Sequence, residues 1–96
     1  MENDYFAQAV DFGEAIKEAK NGKKILRVGW NGKGMFVYYV PSSNFEAFTD
    51  IGKELAGEDG LVLYNAYLAI KNVNGTVSTW VPSINDVLSE DWIVTE

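Results

Sequence analysis

The dipeptide Asn74-Gly75 constrains the fold of this chain more than any other feature, because it lies between two runs of β-type residues. Asn-Gly in such a position is the strongest short-range signal for a two-residue hairpin turn, since both residues tolerate positive φ. A hairpin centred on this dipeptide pairs Ala69 with Trp80. One predicted face then collects the apolar residues Leu68, Ile70, Val77 and Val81. Trp80 is predicted on the opposite face, with Lys71 and Ser78.

A second hairpin is predicted earlier in the chain, where the sequence KKILRVGW is followed by NGKG and then by MFVYYV. With NGKG as the loop, Trp30 opposes Met35. The face that includes this pair is wholly apolar and is predicted to receive a helix. On the other face Ile25 opposes Val40. That face also places the guanidinium of Arg27 beside two aromatic rings, a grouping typical of ligand recognition.

The segment DFGEAIKEAKNG predicts a helix that is capped by Asp11 and ends at Asn21-Gly22. Its apolar residues recur at the spacing of one helix face, and they are Phe12, Ala15, Ile16 and Ala19. Residues 41–60 predict a long connection with a short helix inside it. The segment SINDVLSEDW predicts helical turns capped by Ser83. The segment WIVTE predicts a last strand, with Trp92 in the core.

These elements predict an α+β fold, in which one N-terminal helix packs on an antiparallel sheet of about five strands, with additional short helical segments. Residues 1–96 are expected to form a single ligand-binding domain, since 96 residues suit one modest core. One helix covers only one face of such a sheet. We therefore expect a second subunit over the other face.

The composition argues against several classes of protein. Without cysteine or histidine, the chain lacks thiolate ligands and the commonest general base and metal ligand, so we expect no metal, no cofactor and no enzymatic activity. The net charge of -6 argues against DNA or RNA binding. Residues 20–33 nevertheless hold five basic residues and no acid, which suits either a small anion or a solvated strand edge. The sequence shows no membrane-spanning segment and predicts a cytoplasmic protein.

The stretch GWNGKGMF, residues 29–36, allows two interpretations. Glycines let backbone N–H groups point at an anion, with Lys33 beside them, while Trp30 and Phe36 offer stacking surfaces for a base. The alternative is a hairpin turn whose rings belong to the core. Asn85 and Asp86 also allow two roles, which are capping of a helix and hydrogen bonding to a nucleoside.

Two longer stretches resemble a known family. DFGEAIKEAKNGKKILRVGWNGKGMFVYYVP and NGTVSTWVPSINDVLSEDW are similar to the phage Thoeris anti-defence protein two family, over about residues 11–40 and 64–95. Residues 41–63 match the family less well. The resemblance implies a sponge that binds glyco-cyclic ADP-ribose, a cyclic ADP-ribose-type immune signal, and holds it intact, so that the Thoeris effector stays inactive.

The resemblance also implies a homo-oligomer, a tetramer, with ligand pockets between subunits in the host bacterial cytoplasm. The ligand-binding residues expected from the resemblance are Trp30, Asn31, Gly32, Lys33, Met35, Phe36, Thr79, Trp80, Asn85 and Asp86. Arg27 joins them from the predicted strand pairing. Two alternatives stay open at this point. One is an enzyme that cleaves the nucleotide signal with Asp86 or Glu90, and the other is a protein–protein inhibitor of the effector.

Overall fold

The structure, a computed structural model, describes residues 8–30 and 34–96. Its elements run in chain order as α1 (Phe12–Lys20), β1 (Lys24–Arg27), β2 (Phe36–Val40), β3 (Ser43–Glu46), α2 (Asp50–Leu55), β4 (Leu61–Tyr64), β5 (Tyr67–Lys71), β6 (Val77–Trp80), α3 (Ile84–Leu88) and β7 (Trp92–Thr95). Five strands form an antiparallel sheet in the order β6-β5-β2-β1-β7, and β3 and β4 form a separate pair. The predicted α+β fold, with its N-terminal helix, five-stranded sheet and short helical segments, is confirmed.

Helix α1 covers one face of the five-stranded sheet. It begins at Asp11, whose side chain accepts a hydrogen bond from the Glu14 N–H at 2.8 Å. The predicted apolar stripe faces the sheet, because Ala15 and Ala19 are buried while Phe12 and Ile16 pack around them. The strands contribute the fully buried Ile25, Val37 and Trp92 to the same core. This small core determines which side chains of the five-stranded sheet point towards helix α1.

The predicted register of the β5–β6 hairpin is wrong by one residue. Trp80 opposes Leu68 rather than Ala69. The loop holds three residues instead of two, since the Asn72 N–H donates to the Thr76 carbonyl at 2.8 Å and Gly75 has a φ of 89°. Such a loop combines a turn with a bulge. A shift of one residue moves every side chain of β6 to the other face, so Trp80 lies on the helix-covered side.

The predicted register of the β1–β2 hairpin is wrong by three residues. Ile25 opposes Val37 rather than Val40. Strand β1 ends early, because the chain turns after Arg27 and the Trp30 N–H donates to the Arg27 carbonyl at 3.1 Å. Arg27 therefore shares the helix-covered face with Ile25. It does not lie beside the rings of Phe36 and Tyr38, as the predicted pairing required.

Helix α1 does not cover the other side of the five-stranded sheet, and we call this side the open face. Strand alternation and the observed registers assign to it Lys24, Leu26, Phe36, Tyr38, Val40, Tyr67, Ala69, Lys71, Val77, Thr79, Ile93 and Thr95. These twelve open-face residues include two lysines and no acidic residue. The open face is therefore apolar and basic, although the chain as a whole is acidic.

Residues 43–64 form an arm, which consists of β3, α2 and β4. The short helix was predicted in this connection, whereas the strand pair was not. The molecule measures 55 × 26 × 25 Å, and five strands at a spacing of about 4.8 Å span only about 24 Å. The strand pair of the arm is separate from the five-stranded sheet, and in the chain it follows β2 and precedes β5. No helix in residues 8–30 and 34–96 is long and apolar enough to cross a membrane.

The loop of the β5–β6 hairpin generates a stability prediction. Gly75→Ala is expected to destabilise the fold by about 1–2 kcal/mol, because an L-residue pays a steric penalty at positive φ. A Cβ atom at this position would meet nothing within 4 Å, so backbone strain is the sole cause. Urea unfolding at fixed protein concentration measures the effect.

Gly29→Ala is the matched control for this measurement. A Cβ there also meets nothing within 4 Å, and Gly29 does not adopt positive φ. Gly29→Ala is expected to lower the free energy of unfolding by no more than about 0.5 kcal/mol. Equal losses in the two variants would contradict the loop geometry.

Candidate ligand-binding site

Three tryptophans meet at one end of the helix-covered face. The ring centroids of Trp30 and Trp92 lie 5.5 Å apart, those of Trp80 and Trp92 6.1 Å, and those of Trp30 and Trp80 6.2 Å. All three contacts are edge-to-face, an arrangement that aromatic quadrupoles favour. Trp92 is fully buried, whereas Trp30 and Trp80 are half-buried. Trp30 and Trp80, which were both predicted as site residues, thus lie together, and each is only partly buried.

Arg27 lies at the same end of the sheet and holds two carboxylates. Its Nε donates to Asp91 Oδ1 at 2.9 Å, and its Nη1 donates to Asp86 Oδ1 at 3.1 Å. The three side chains are mostly buried, with exposed fractions of 24%, 14% and 25% for Arg27, Asp86 and Asp91. Removing one member of a paired, partly desolvated group leaves its partners uncompensated. Arg27 therefore joins the end of β1 to α3 and to the start of β7.

Asp86 also caps helix α3. Its Oδ2 accepts a hydrogen bond from the Ser83 N–H at 2.9 Å, and its own N–H donates to the Ser83 hydroxyl at 3.1 Å. Its carbonyl accepts the indole N–H of Trp92 at 2.9 Å. The capping role expected for Asp86 as one of two interpretations is thus observed. Both carboxylate oxygens already have protein partners.

The charges of this network stabilise one another. Burial raises the pKa of Asp86, but hydrogen bonds with Ser83 and with the Arg27 guanidinium outweigh it and hold the pKa below its ordinary value. The hydrogen bond to Asp91 and the contact with Asp86 raise the pKa of Arg27 above its ordinary value, although burial opposes them. The shifts in both pKa values favour the charged forms of Asp86 and Arg27 at neutral pH. Its guanidinium is matched by two carboxylates.

A different group of side chains surrounds Phe36 on the open face. Lys24 Nζ lies 4.9 Å and Lys71 Nζ 5.9 Å from the centroid of the Phe36 ring, so both ammonium groups interact with the ring. Lys71 Nζ also donates to the Gly34 carbonyl at 3.1 Å. The Tyr38 ring is 6.1 Å from that of Phe36. One aromatic ring is thus flanked by two positive charges.

Two grooves adjoin the Phe36 ring. The larger has a volume of about 430 Å³ and is lined by Gln8, Lys24, Leu26, Gly34, Met35, Phe36, Ile93, Val94 and Thr95. The smaller has a volume of about 350 Å³ and is lined by Gly22, Lys24, Phe36, Tyr38, Lys71 and Val77. Among the described residues, neither lining includes an acidic residue. This part of the open face, which we call the Phe36 groove, is suited to a flat ligand with negative charge.

The structure divides the predicted site residues between these two places. Arg27, Trp30, Trp80 and Asp86 lie around the tryptophans, whereas Met35 and Phe36 line the groove. Thr79 is exposed on the open face, opposite Ala69, and Asn85 is exposed on α3. Asn31, Gly32 and Lys33 lie outside the described residues.

Three residues of these clusters were not predicted as site residues. Lys24 belongs to the basic window noted in the sequence, but its direction depends on the strand pairing. Lys71 was predicted on the same face as Trp80, which the corrected register separates. Asp91 was not singled out as a site residue in the sequence, and it accepts a hydrogen bond from Arg27. A three-residue loop after Asn72 would have separated Lys71 from Trp80, whereas the direction of Lys24 required the β1–β2 register. Among the described residues no cluster of three or more acidic side chains forms a metal site.

The ion-pair network predicts a specific pH dependence of stability. A carboxylate with a lowered pKa stabilises the fold above its ordinary pKa of about 3.9, and this contribution is lost as the pH falls through the lower value. Asp86→Asn is therefore expected to reduce the urea midpoint at pH 7. The difference in urea midpoint between Asp86→Asn and the unmodified protein should shrink as the pH falls below about 4.

Glu90→Gln is the control, since Glu90 is an exposed carboxylate close to Asp86 in sequence. A stability difference for Asp86→Asn that stays constant from pH 7 to pH 2.5 would contradict the ionised network.

Comparisons with known proteins agree on one family. Residues 10–95 match the family described as Thoeris anti-defense 2-like domain, which is nearly the whole chain. A curated relative named Thoeris anti-defense 2, from Bacillus phage SP01, is 35% identical over 83 residues, which cover 86% of this chain and 91% of the relative. The matched range contains all seven strands and the three tryptophans of this chain. The family predicted from the sequence is thereby confirmed, and this chain belongs to the Thoeris anti-defense 2 family.

Proposed function

We propose that this protein binds a cyclic ADP-ribose-type signal, glyco-cyclic ADP-ribose, and sequesters it without cleavage, which prevents activation of the Thoeris effector. Membership of the Thoeris anti-defense 2 family supports an anti-Thoeris role in phage. One observation carries the finer proposal. Lys24 and Lys71 flank the Phe36 ring beside grooves that no acidic residue of the described ranges lines.

The chemistry of the Phe36 groove matches this kind of ligand. An ADP-ribose-type molecule has a flat adenine and a diphosphate with two negative charges. Stacking of a base on an aromatic side chain is worth about 1–3 kcal/mol, and charge-assisted hydrogen bonds to phosphate add to it. Lys24 and Lys71 supply the donors. Leu26, Met35 and Ile93 provide apolar walls on which the remaining ring atoms can pack.

Binding without cleavage agrees with the lowered pKa and the hydrogen bonds of Asp86. A general base works best when its pKa is close to the working pH. The pKa of Asp86 is lowered, and its carboxylate oxygens already accept hydrogen bonds from Ser83 and Arg27. Asp86 is thus a poor base, and it is a positioning residue for β1 and α3. Sequestration requires only affinity and abundance, so the site needs no catalytic group and no cofactor.

An assembly of several copies is part of the proposal. As formed by the described residues, the Phe36 groove is open on one side, whereas small-molecule sites bury most of the ligand. A second copy of the chain can supply the missing wall, which agrees with the homo-oligomer, a tetramer, expected from the family resemblance. The proposed place of action is the host bacterial cytoplasm, with no role for DNA, RNA or membranes. The net charge of -6 disfavours nucleic acids as competing ligands.

Calorimetry with glyco-cyclic ADP-ribose tests the groove. Phe36→Leu keeps an apolar side chain but removes the stacking surface, so the affinity should fall about 5- to 100-fold. Lys24→Gln combined with Lys71→Gln should reduce the affinity at least about tenfold, because each loses a charged donor. Lys17→Gln, on the exposed side of α1, is the control and should bind normally.

The same titrations separate the two groups of predicted residues. Trp80→Phe retains an aromatic core residue and should leave the affinity within about threefold. If Trp80→Phe abolishes binding while Phe36→Leu does not, the ligand lies at the tryptophan cluster and the groove assignment is wrong.

Analysis of the bound ligand tests sequestration against cleavage. The protein is incubated with glyco-cyclic ADP-ribose and heat-denatured, and the released nucleotide is identified by mass spectrometry. We expect intact ligand in stoichiometric amount. A cleaved product that disappears in Asp86→Asn or Glu90→Gln would establish the enzymatic alternative. Capture of the Thoeris effector by the nucleotide-free protein would instead support protein–protein inhibition.

A further inference from the structure

The strand pair of the arm continues the ladder that joins β2 to β5. Val40 opposes Tyr67 at the end of that ladder, and Ser43 opposes Tyr64 in the arm. The second pair lies three positions further along both strands, so β3 extends the line of β2 and β4 extends the line of β5. On its other side, β2 pairs with β1. Among the described residues β3 has no such neighbour, because its sheet consists of β3 and β4 alone.

The outer edge of β3 presents backbone groups that can receive another strand. The Ala47 N–H donates to the Gly60 carbonyl at 3.4 Å, so these residues form a hydrogen-bonded pair of the antiparallel ladder. Hydrogen-bonded and non-hydrogen-bonded pairs alternate along such a ladder, which places Glu46 and Asn44 in non-hydrogen-bonded pairs. Their N–H and C=O groups point away from β4, and no group in the described part of the chain bonds to them. We call these outward groups of Asn44 and Glu46 the β3 edge.

The outer edge of β4 differs, because the chain itself occupies part of it. The Leu61 N–H donates to Asp59 Oδ1 at 3.0 Å, and the Leu61 carbonyl accepts the Gly57 N–H at 3.1 Å. These bonds agree with the alternation, since Leu61 opposes Glu46 and its backbone groups also point outwards. The segment that returns from α2 thus blocks the start of β4, and the β3 edge is the accessible side of the strand pair.

The strand pair of the arm has less packing than a stable sheet needs. A two-stranded hairpin is only marginally stable in water, whereas three strands with an apolar face are stable. Phe45 and Tyr64 are 43% and 45% exposed on one side of the pair, and Leu63 is 64% exposed on the other. The rings of Phe45 and Tyr64 pack edge-to-face, with centroids 5.7 Å apart. A third strand beside β3 would cover part of this apolar surface.

The charges of the arm determine which strand can add to it. Residues 43–64 hold five acids (Glu46, Asp50, Glu54, Glu58 and Asp59) against one base (Lys53), a net charge of -4. Opposite charges on neighbouring strands stabilise a sheet and like charges destabilise it, and Glu46 belongs to the β3 edge itself. Since side chains alternate along a strand, the matching strand is basic on the side of Glu46 and apolar on the side of Phe45. A second arm carries the same carboxylates and is therefore disfavoured.

We propose that the β3 edge binds an extended segment of a partner protein in which basic and apolar residues alternate. The segment adds as a third strand, and its backbone bonds to the N–H and C=O groups of Asn44 and Glu46. Its apolar side chains pack beside Phe45, and its basic side chains lie beside Glu46. The described residues that line the Phe36 groove all lie outside the arm. This second interaction therefore requires neither the nucleotide nor another copy of the chain.

Fluorescence anisotropy with labelled peptides tests the inference. The probe is a peptide of alternating lysine and valine, with about eight residues, a usual strand length. It should bind the unmodified protein with a dissociation constant below about 1 mM. A peptide of alternating glutamate and valine should bind at least about tenfold more weakly. Absence of binding by the lysine–valine peptide at about 1 mM, or equal binding of the two peptides, would overturn the inference.

Two substitutions of Asn44 separate strand addition from general attraction between charges, because neither changes the net charge. Asn44→Pro removes an outward N–H and should weaken binding of the lysine–valine peptide at least about fivefold, which corresponds to one net hydrogen bond. Asn44→Ala keeps that N–H and should bind within about twofold of the unmodified protein. Proline is tolerated where the N–H of an edge strand faces solvent, so circular dichroism should show an intact fold. Equal binding by the two variants would exclude the β3 edge.

Charge reversal at Glu46 gives a test that does not depend on the folding of Asn44→Pro. Glu46→Lys should weaken binding of the lysine–valine peptide and strengthen that of the glutamate–valine peptide, each by about two- to fivefold. Glu90→Lys, at an exposed position outside the arm, makes the same change in net charge and is the control. The ratio of the two affinities should stay within about twofold in this control. An unchanged ratio in Glu46→Lys would contradict strand addition beside Glu46.

Discussion

The nine-residue helix α1 packs on one face of the five-stranded sheet, and the rest of the described structure depends on this packing. The residues Ala15 and Ala19 are small enough to bring α1 close to the sheet, where Ile25, Val37 and Trp92 are fully buried. Burial of such side chains supplies most of the stabilisation available to a domain of this size. Helix α1 leaves the opposite face uncovered, and among the described residues the aromatic and basic side chains of that face line two grooves.

The two clusters differ in what their charges can do. Arg27 is already paired with two carboxylates and holds three elements together, so a ligand that bound it would have to displace a protein partner. Lys24 and Lys71 interact with an aromatic ring and, for Lys71, with a backbone carbonyl, and neither has a carboxylate partner among the described contacts. The ammonium groups of the open face can therefore bind an anion at lower cost. The same difference makes Arg27 important for stability and the lysines suited to recognition.

Local signals in the sequence predicted the elements but not how they pair. Capping by Asp11 and Ser83, the helical spacing of Phe12 to Ala19 and the alternation in the strands identified the helices, most strands and the α+β class. Strand registers depend on loop conformation and on packing of the whole core. The loop after Asn72 holds three residues, and β1 ends where Trp30 enters the tryptophan cluster. Both errors reversed a strand face, so residues predicted as one site fell on two sides of the sheet.

The grouping of the tryptophans has a spectroscopic consequence. The chain contains three tryptophans, and all three lie within 6.2 Å of one another at one end of the helix-covered face. Intrinsic indole fluorescence and exciton coupling in circular dichroism therefore report on a single location, where Trp92 is buried and its N–H is bound to the Asp86 carbonyl. The Phe36 groove contains phenylalanine and tyrosine but no indole. Excitation at long ultraviolet wavelengths therefore reports on the tryptophan cluster. It does not report directly on ligand binding at the open face.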